Sequence, residues 1–266
     1  MTGTGDMPQI LTALAGRLDD TGDLLEVATT HLRALAEQVK RHEYTINDLH
    51  WDAARILTSD TPEAVTGSAG QHALRAVQLG TEDLVQGIQR STATAGSTHQ
   101  LLIAASQELA VADRLIGELN TGGRNTGGLD TGGRGPLTAE AVVDVAVLAG
   151  RTERLTMLLE VATPLAARVQ QQLTEARSLL EQQVSASAKP DLDRFQQFWA
   201  LDVGIFESSR AVAQARAGVR DGSELAERAV HAGGVTSLQV RDLRRHHIHH
   251  HPPPTTGPTG PTGPAI

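Results

Sequence analysis

Apolar residues along the first third of the chain recur at alternating steps of three and four. The series is Leu11, Leu14, Leu18, Thr21, Leu25, Ala28, Leu32, Leu35, Val39, His42, Ile46, Leu49, Ala53 and Ile56. A mean step of 3.5 residues is the period of a helical stripe that faces another helix. Asp60-Thr61-Pro62 then reads as a stop and a restart, with Thr61 as cap and Pro62 in the first helical position. A second ladder follows from Leu74 through Val77, Thr81, Leu84, Ile88, Ser91, Ala95, Thr98, Leu102, Ala105, Leu109, Ala112 and Ile116 to Leu119. It is richer in Thr, Ser and Gly. This predicts a helix held by packing more than by its own propensity, with small residues that let its neighbour come close. The short break between the ladders predicts an antiparallel helical hairpin.

Residues 120–136 repeat a five-residue unit (NTGGR, NTGGL, DTGGR) and read as a flexible linker. The pattern then begins again. Val145, Leu148, Thr152, Leu155, Leu159, Ala162, Ala166, Val169, Leu173, Ala176 and Leu180 each lie 134 residues after a position of the first ladder. Identities follow the register. Leu14-Ala15-Gly16-Arg17 recurs as Leu148-Ala149-Gly150-Arg151, and the six residues from Leu24 to Thr29 recur from Leu158 to Thr163. These matches read as duplication of a hairpin unit. Pro164 inside the third ladder predicts a kink.

After a break at Lys189-Pro190-Asp191, a fourth helix is expected over about 191–219. Its expected seam is Phe195, Phe198, Asp202, Ile205, Ser209, Val212, Arg216 and Val219. Two short helices, separated by Asp221-Gly222-Ser223 and Gly233-Gly234, are expected to follow. The fold class is therefore all-α: two tandem antiparallel hairpins with heptad, coiled-coil-like seams, standing apart or packed as a four-helix bundle. The expected divisions are hairpin 1 over 1–119, linker over 120–136, hairpin 2 with short extra helices over 137–246, and a disordered His/Pro/Gly tail over 247–266. Near its end the tail carries Gly-Pro-Thr triplets that resemble those of bacterial collagen-like proteins, in too few copies to hold a triple helix.

Composition narrows the function. The 266 residues include no cysteine, which excludes disulfides, thiolate metal sites and a cysteine nucleophile. A net charge of -8 argues against a nucleic-acid partner. No apolar run is long enough to span a membrane, and no signal peptide is recognisable, so a cytoplasmic location is expected. The abundance of Ala, Gly and Arg over Lys points to a bacterial, GC-rich origin. None of the common catalytic motifs occurs.

Two features could carry binding. His246, His247, His249, His250 and His251 form a dense cluster that could chelate Zn or Ni. Tyr44 and Trp51, seven residues apart, fall on the side of the first helix opposite its seam. They would either pack on the second hairpin, the favoured reading, or meet a protein partner. Phe195, Phe198, Trp199 and Phe206 are expected in the core of the second unit, with docking of a partner as the next reading. The expected function is a non-enzymatic interaction or scaffold protein, binding helical partners or itself through its seams. Metal binding through the histidine tail is the alternative, and no other cofactor is implied.

Overall fold

The computed structural model describes residues 7–59, 65–124 and 139–250. Within them the chain forms four long helices: α1 (Met7–Leu57), α2 (Ser68–Arg124), α3 (Ala139–Ser187) and α4 (Arg194–His250). No strand occurs among the described residues. Each helix packs on its two neighbours in a ring α1–α2–α3–α4, with α1 and α3 across one diagonal. The hairpins thus form one four-helix bundle. Both halves of its core draw buried side chains from all four helices.

The three-and-four spacing is the burial pattern. Along α1, Leu14, Leu25, Ala28 and Val39 have no exposed surface, and the partners 134 residues on, Leu148, Leu159, Ala162 and Leu173, are equally buried. Outward positions match as well: Val27 and Val161 are both exposed. The seam of α4 keeps the same alternation from Phe198 to Leu243, each seam position 124 residues after a buried position of α2, and Gly204, Ala211 and Ser237 are buried beside it. The offset is ten residues smaller because the second hairpin turns more tightly. That turn ends in a reciprocal cap, in which the Gln196 amide donates to Asp193 Oδ1 at 2.8 Å and the Asp193 amide to Gln196 Oε1 at 3.0 Å.

The fourth seam differs from its sequence expectation by one residue at alternate sites. Leu201, Ser208 and Ala215 are buried, and Asp202, Ser209 and Arg216 lie beside the seam. The polar side chains thereby reach partners on α1: Asp202 pairs with His50 at 2.7 Å, and Arg216 pairs with Glu43. The expected breaks at Gly222 and Gly233-Gly234 do not occur, and α4 is one helix to His250. Gly222 and Gly233 are buried seam positions. A Cβ at either would meet only ordinary contacts, so no close approach requires these glycines, and packing of the rest of α4 overrides their poor local propensity.

Other boundaries shift too. The long second helix begins at Ser68, and the expected cap at Thr61 lies outside the described residues. At its other end α2 runs to Arg124, five residues into the expected linker. α3 runs through Pro164 uninterrupted. The small residues of α2 admit their neighbours as expected: a Cβ at Gly80 would sit 2.6 Å from Leu49 Cδ2, and one at Gly87 would sit 2.9 Å from His42 Cε1.

These glycines yield a prediction of opposite signs. A Cβ at Gly222 would rest 3.8 Å from Leu32 Cδ2, and one at Gly233 would rest 3.9 Å from Leu155 Cδ2, both ordinary contacts. Gly222→Ala and Gly233→Ala should each raise stability by about 0.5–1 kcal/mol through helix propensity. A Cβ at Gly204 would lie 2.4 Å from Gln183 Cγ and 2.5 Å from its Cβ. Gly204→Ala should therefore destabilise. Urea midpoints of the three variants check this; destabilisation by Ala at 222 and 233 would mean that the glycines serve turns.

Candidate interaction face

Ion pairs and hydrogen bonds cross the bundle surface between helices. Four links tie α1 to α4 in antiparallel register. Asp19 accepts from Ser237 Oγ at 2.5 Å and from Arg241 at 3.0 Å. Arg33 donates to Glu227 at 2.9 Å, and the Glu43–Arg216 and His50–Asp202 pairs complete the series. Exposed pairs of this kind contribute little energy, but they mark how the two hairpins align. Burial acts to raise the Asp19 pKa. The Ser237 and Arg241 hydrogen bonds, with the Arg241 charge, outweigh it and hold the carboxyl below its usual range.

Polar seam residues are mostly satisfied within their own helices. Thr21, Thr81 and Thr98 donate to the carbonyls of Arg17, Val77 and Thr94 at 2.7–2.9 Å, so they set no register between helices. Ser91 is different. Its hydroxyl donates to Gln38 Oε1 at 3.0 Å and lies 2.8 Å from His42 Nε2. His42, at the seam position expected for it, is partly buried against Gly87. Burial, then the positive charges of Arg41 and Arg90, lower its pKa to about 4, against a smaller raising effect from a hydrogen bond with the Gly87 backbone. His42 is therefore neutral at pH 7.

The aromatic residues break the rule that large apolar side chains fill the core. Only Phe198 of the six is buried. Trp51 is 71% exposed, Phe206 65%, Tyr44 60%, Trp199 57% and Phe195 48%. Tyr44 and Trp51 lie seven residues apart on the outward side of α1. Trp199 and Phe206 are also seven apart, on α4 beside its seam, so both pairs form stripes along their helices. The stripes meet at His50, whose ring centroid lies 6.1 Å from that of Trp51 and 6.0 Å from that of Phe206. Asp202 fixes the His50 ring through Nδ1. Because α1 and α4 are antiparallel neighbours, all five exposed aromatics gather at the end of the bundle where α1 stops and α4 starts.

Tyr44 and Trp51 therefore face outward even though the bundle forms, so packing on the second hairpin does not cover them. The expectation of a core role holds for Phe198 alone and fails for Phe195, Trp199 and Phe206. The one-residue phase error in the fourth seam explains the failure, since a seam through Leu201 and Ser208 turns Trp199 and Phe206 outward. Polar residues at Asp202, Ser209 and Arg216 were the signal of that error. His50 carried no signal in the sequence, because its role depends on which helix lies beside it.

Among the histidine cluster, the backbone of His246, His247, His249 and His250 lies in the last turns of α4. Their side chains, and all of His251, lie outside the described residues. Among the described residues no three His, Asp or Glu converge as a metal site, and no helix is long and apolar enough to cross a membrane. A hollow lined by Asp20, Asp23, Leu24, Val27 and Glu108 opens broadly to solvent and offers no enclosed cleft. No family model, curated protein or solved structure matches this chain.

Proposed function

We propose that this chain is a non-enzymatic interaction protein. Its four apolar stripes build its own bundle, and its partner surface is the aromatic face shared by α1 and α4. The observation that carries this reading is the exposure of five of the six aromatic residues at one end of the bundle. Trp, Tyr and Phe dominate the energetics of protein contacts, and monomeric proteins seldom leave several of them together in water. The reading moves partner binding from the seams to the outer face. A seam whose leucines have no exposed surface offers a partner helix nothing unless the bundle opens.

A photo-crosslinking amino acid at Tyr44, introduced in cells that make the protein, tests the reading. Adducts are expected from Tyr44 and not from Gln171 on α3. Trp51→Ser and Phe206→Ser together should remove the Tyr44 adducts and leave the melting temperature nearly unchanged, as exposed substitutions usually do. Equal adducts at both positions, or none at Tyr44, would contradict it.

A further inference from the structure

The aromatic face lies at the start of α4, and a proline-rich stretch follows the end of α4. Within residues 252–264, Pro252, Pro258, Pro261 and Pro264 are spaced by multiples of three. A polyproline II helix has three residues per turn, so these prolines would share one edge. Proline edges of this kind dock on aromatic-lined surfaces, where a segment that is already extended loses little entropy on binding. Residues 252–264 also carry no charged side chain, so nothing charged would be desolvated against the Trp and Phe rings.

Reach decides which chain supplies the segment. From Phe206 to His250, α4 rises about 66 Å at 1.5 Å per residue. Residues 251–264 cover about 43 Å as polyproline II and about 50 Å at full extension. The stretch falls short of its own aromatic face. We infer that the α1/α4 aromatic face of one copy takes up Pro252–Pro264 of a second copy. This inference rests on the reading of that face as the interaction surface, and names its partner. The face lies where α4 starts and the segment follows in sequence where α4 ends, so the contact joins unlike parts of different copies.

The chain supplies its own probe. Its only two tryptophans, Trp51 and Trp199, both lie on the face, and residues 252–264 contain no aromatic residue. A synthetic peptide of residues 252–264, titrated into the full chain at low micromolar concentration, should shift tryptophan emission to the blue with saturation and little dependence on salt. Phe206→Ser in the protein, or Ala for the prolines at 258, 261 and 264 of the peptide, should each weaken binding at least tenfold. The same three Pro→Ala changes in the full chain should return its sedimentation mass at high concentration toward 28.1 kDa. No emission change, equal binding of the Ala peptide, or association unaltered by the Pro→Ala changes would each overturn the inference. Tyr44 adducts of foreign mass without peptide binding would overturn the self-contact and leave the interaction face standing. Absence of any adduct would overturn the face itself.

Discussion

Leu159→Ala should lower the unfolding free energy by about 3–5 kcal/mol, and Leu25→Ala, its counterpart in the first hairpin, by a similar amount. Both side chains are fully buried, and both belong to the same half of the core, which all four helices line. Truncation removes buried methyl groups and leaves a cavity that long packed helices cannot close by small shifts. The shape of the transition is as informative as its size. In one bundle the hairpins share a core and melt together, so each variant should move a single cooperative transition. Hairpins that folded independently would show two transitions, and each variant would move only one. Urea unfolding followed by circular dichroism, with calorimetry as the check on cooperativity, reads both quantities.

Acidification should produce the second large effect, through His42. Its folded pKa of about 4 lies below the ordinary 6.5. The folded state therefore holds His42 neutral in a range where the unfolded chain takes up a proton. The stability that depends on neutral His42 is complete above pH 6.5, declines as the pH falls from 6.5 toward 4, and levels off below that. The full loss is at most about 3 kcal/mol. The groups that oppose a charge there are on both helices of the first hairpin: Arg41 on α1 and Arg90 on α2. Ser91 and Gln38 can accept or relay a hydrogen bond but supply no countercharge. His42→Leu should flatten the pH dependence of stability between 6.5 and 4 and leave Ser91 bonded to Gln38. An unchanged slope in the variant would assign the acid sensitivity elsewhere.

How far the sequence carried depended on the strength of each local pattern. The stripes of α1 and α3 were legible residue by residue because leucine at steps of three and four has few other structural meanings. The stripe of α2 was legible despite its Thr and Ser, since the Thr81 and Thr98 hydroxyls bond back to their own helix, and only Ser91 reaches across, to Gln38 and His42. The α4 stripe is hard to phase because alternate positions of its buried side, Ser208, Ala215, Gly222 and Ala229, are small, and periodicity hardly distinguishes them from an exposed surface. Asp202 and Arg216 looked like seam residues until His50 and Glu43 of α1 gave them partners. Gly222 and Gly233-Gly234 looked like breaks because local propensity says so, and only the bundle can outvote it. The aromatic face was half legible. Tyr44 and Trp51 follow from the phase of α1, whereas Trp199 and Phe206 needed the corrected phase of α4, and their meeting at His50 needed the arrangement of the hairpins.

That arrangement is the claim on which the rest stands: α1 of the first hairpin lies against α4 of the second within one molecule. The absence of cysteine makes it directly measurable. Arg33→Cys with Glu227→Cys replaces a pair whose charged ends lie 2.9 Å apart across that junction. A short bis-maleimide added to dilute protein should bridge the two within a single chain, at monomer mass and in high yield. Bridging only between chains, or no bridging while the helices stay intact, would contradict the account.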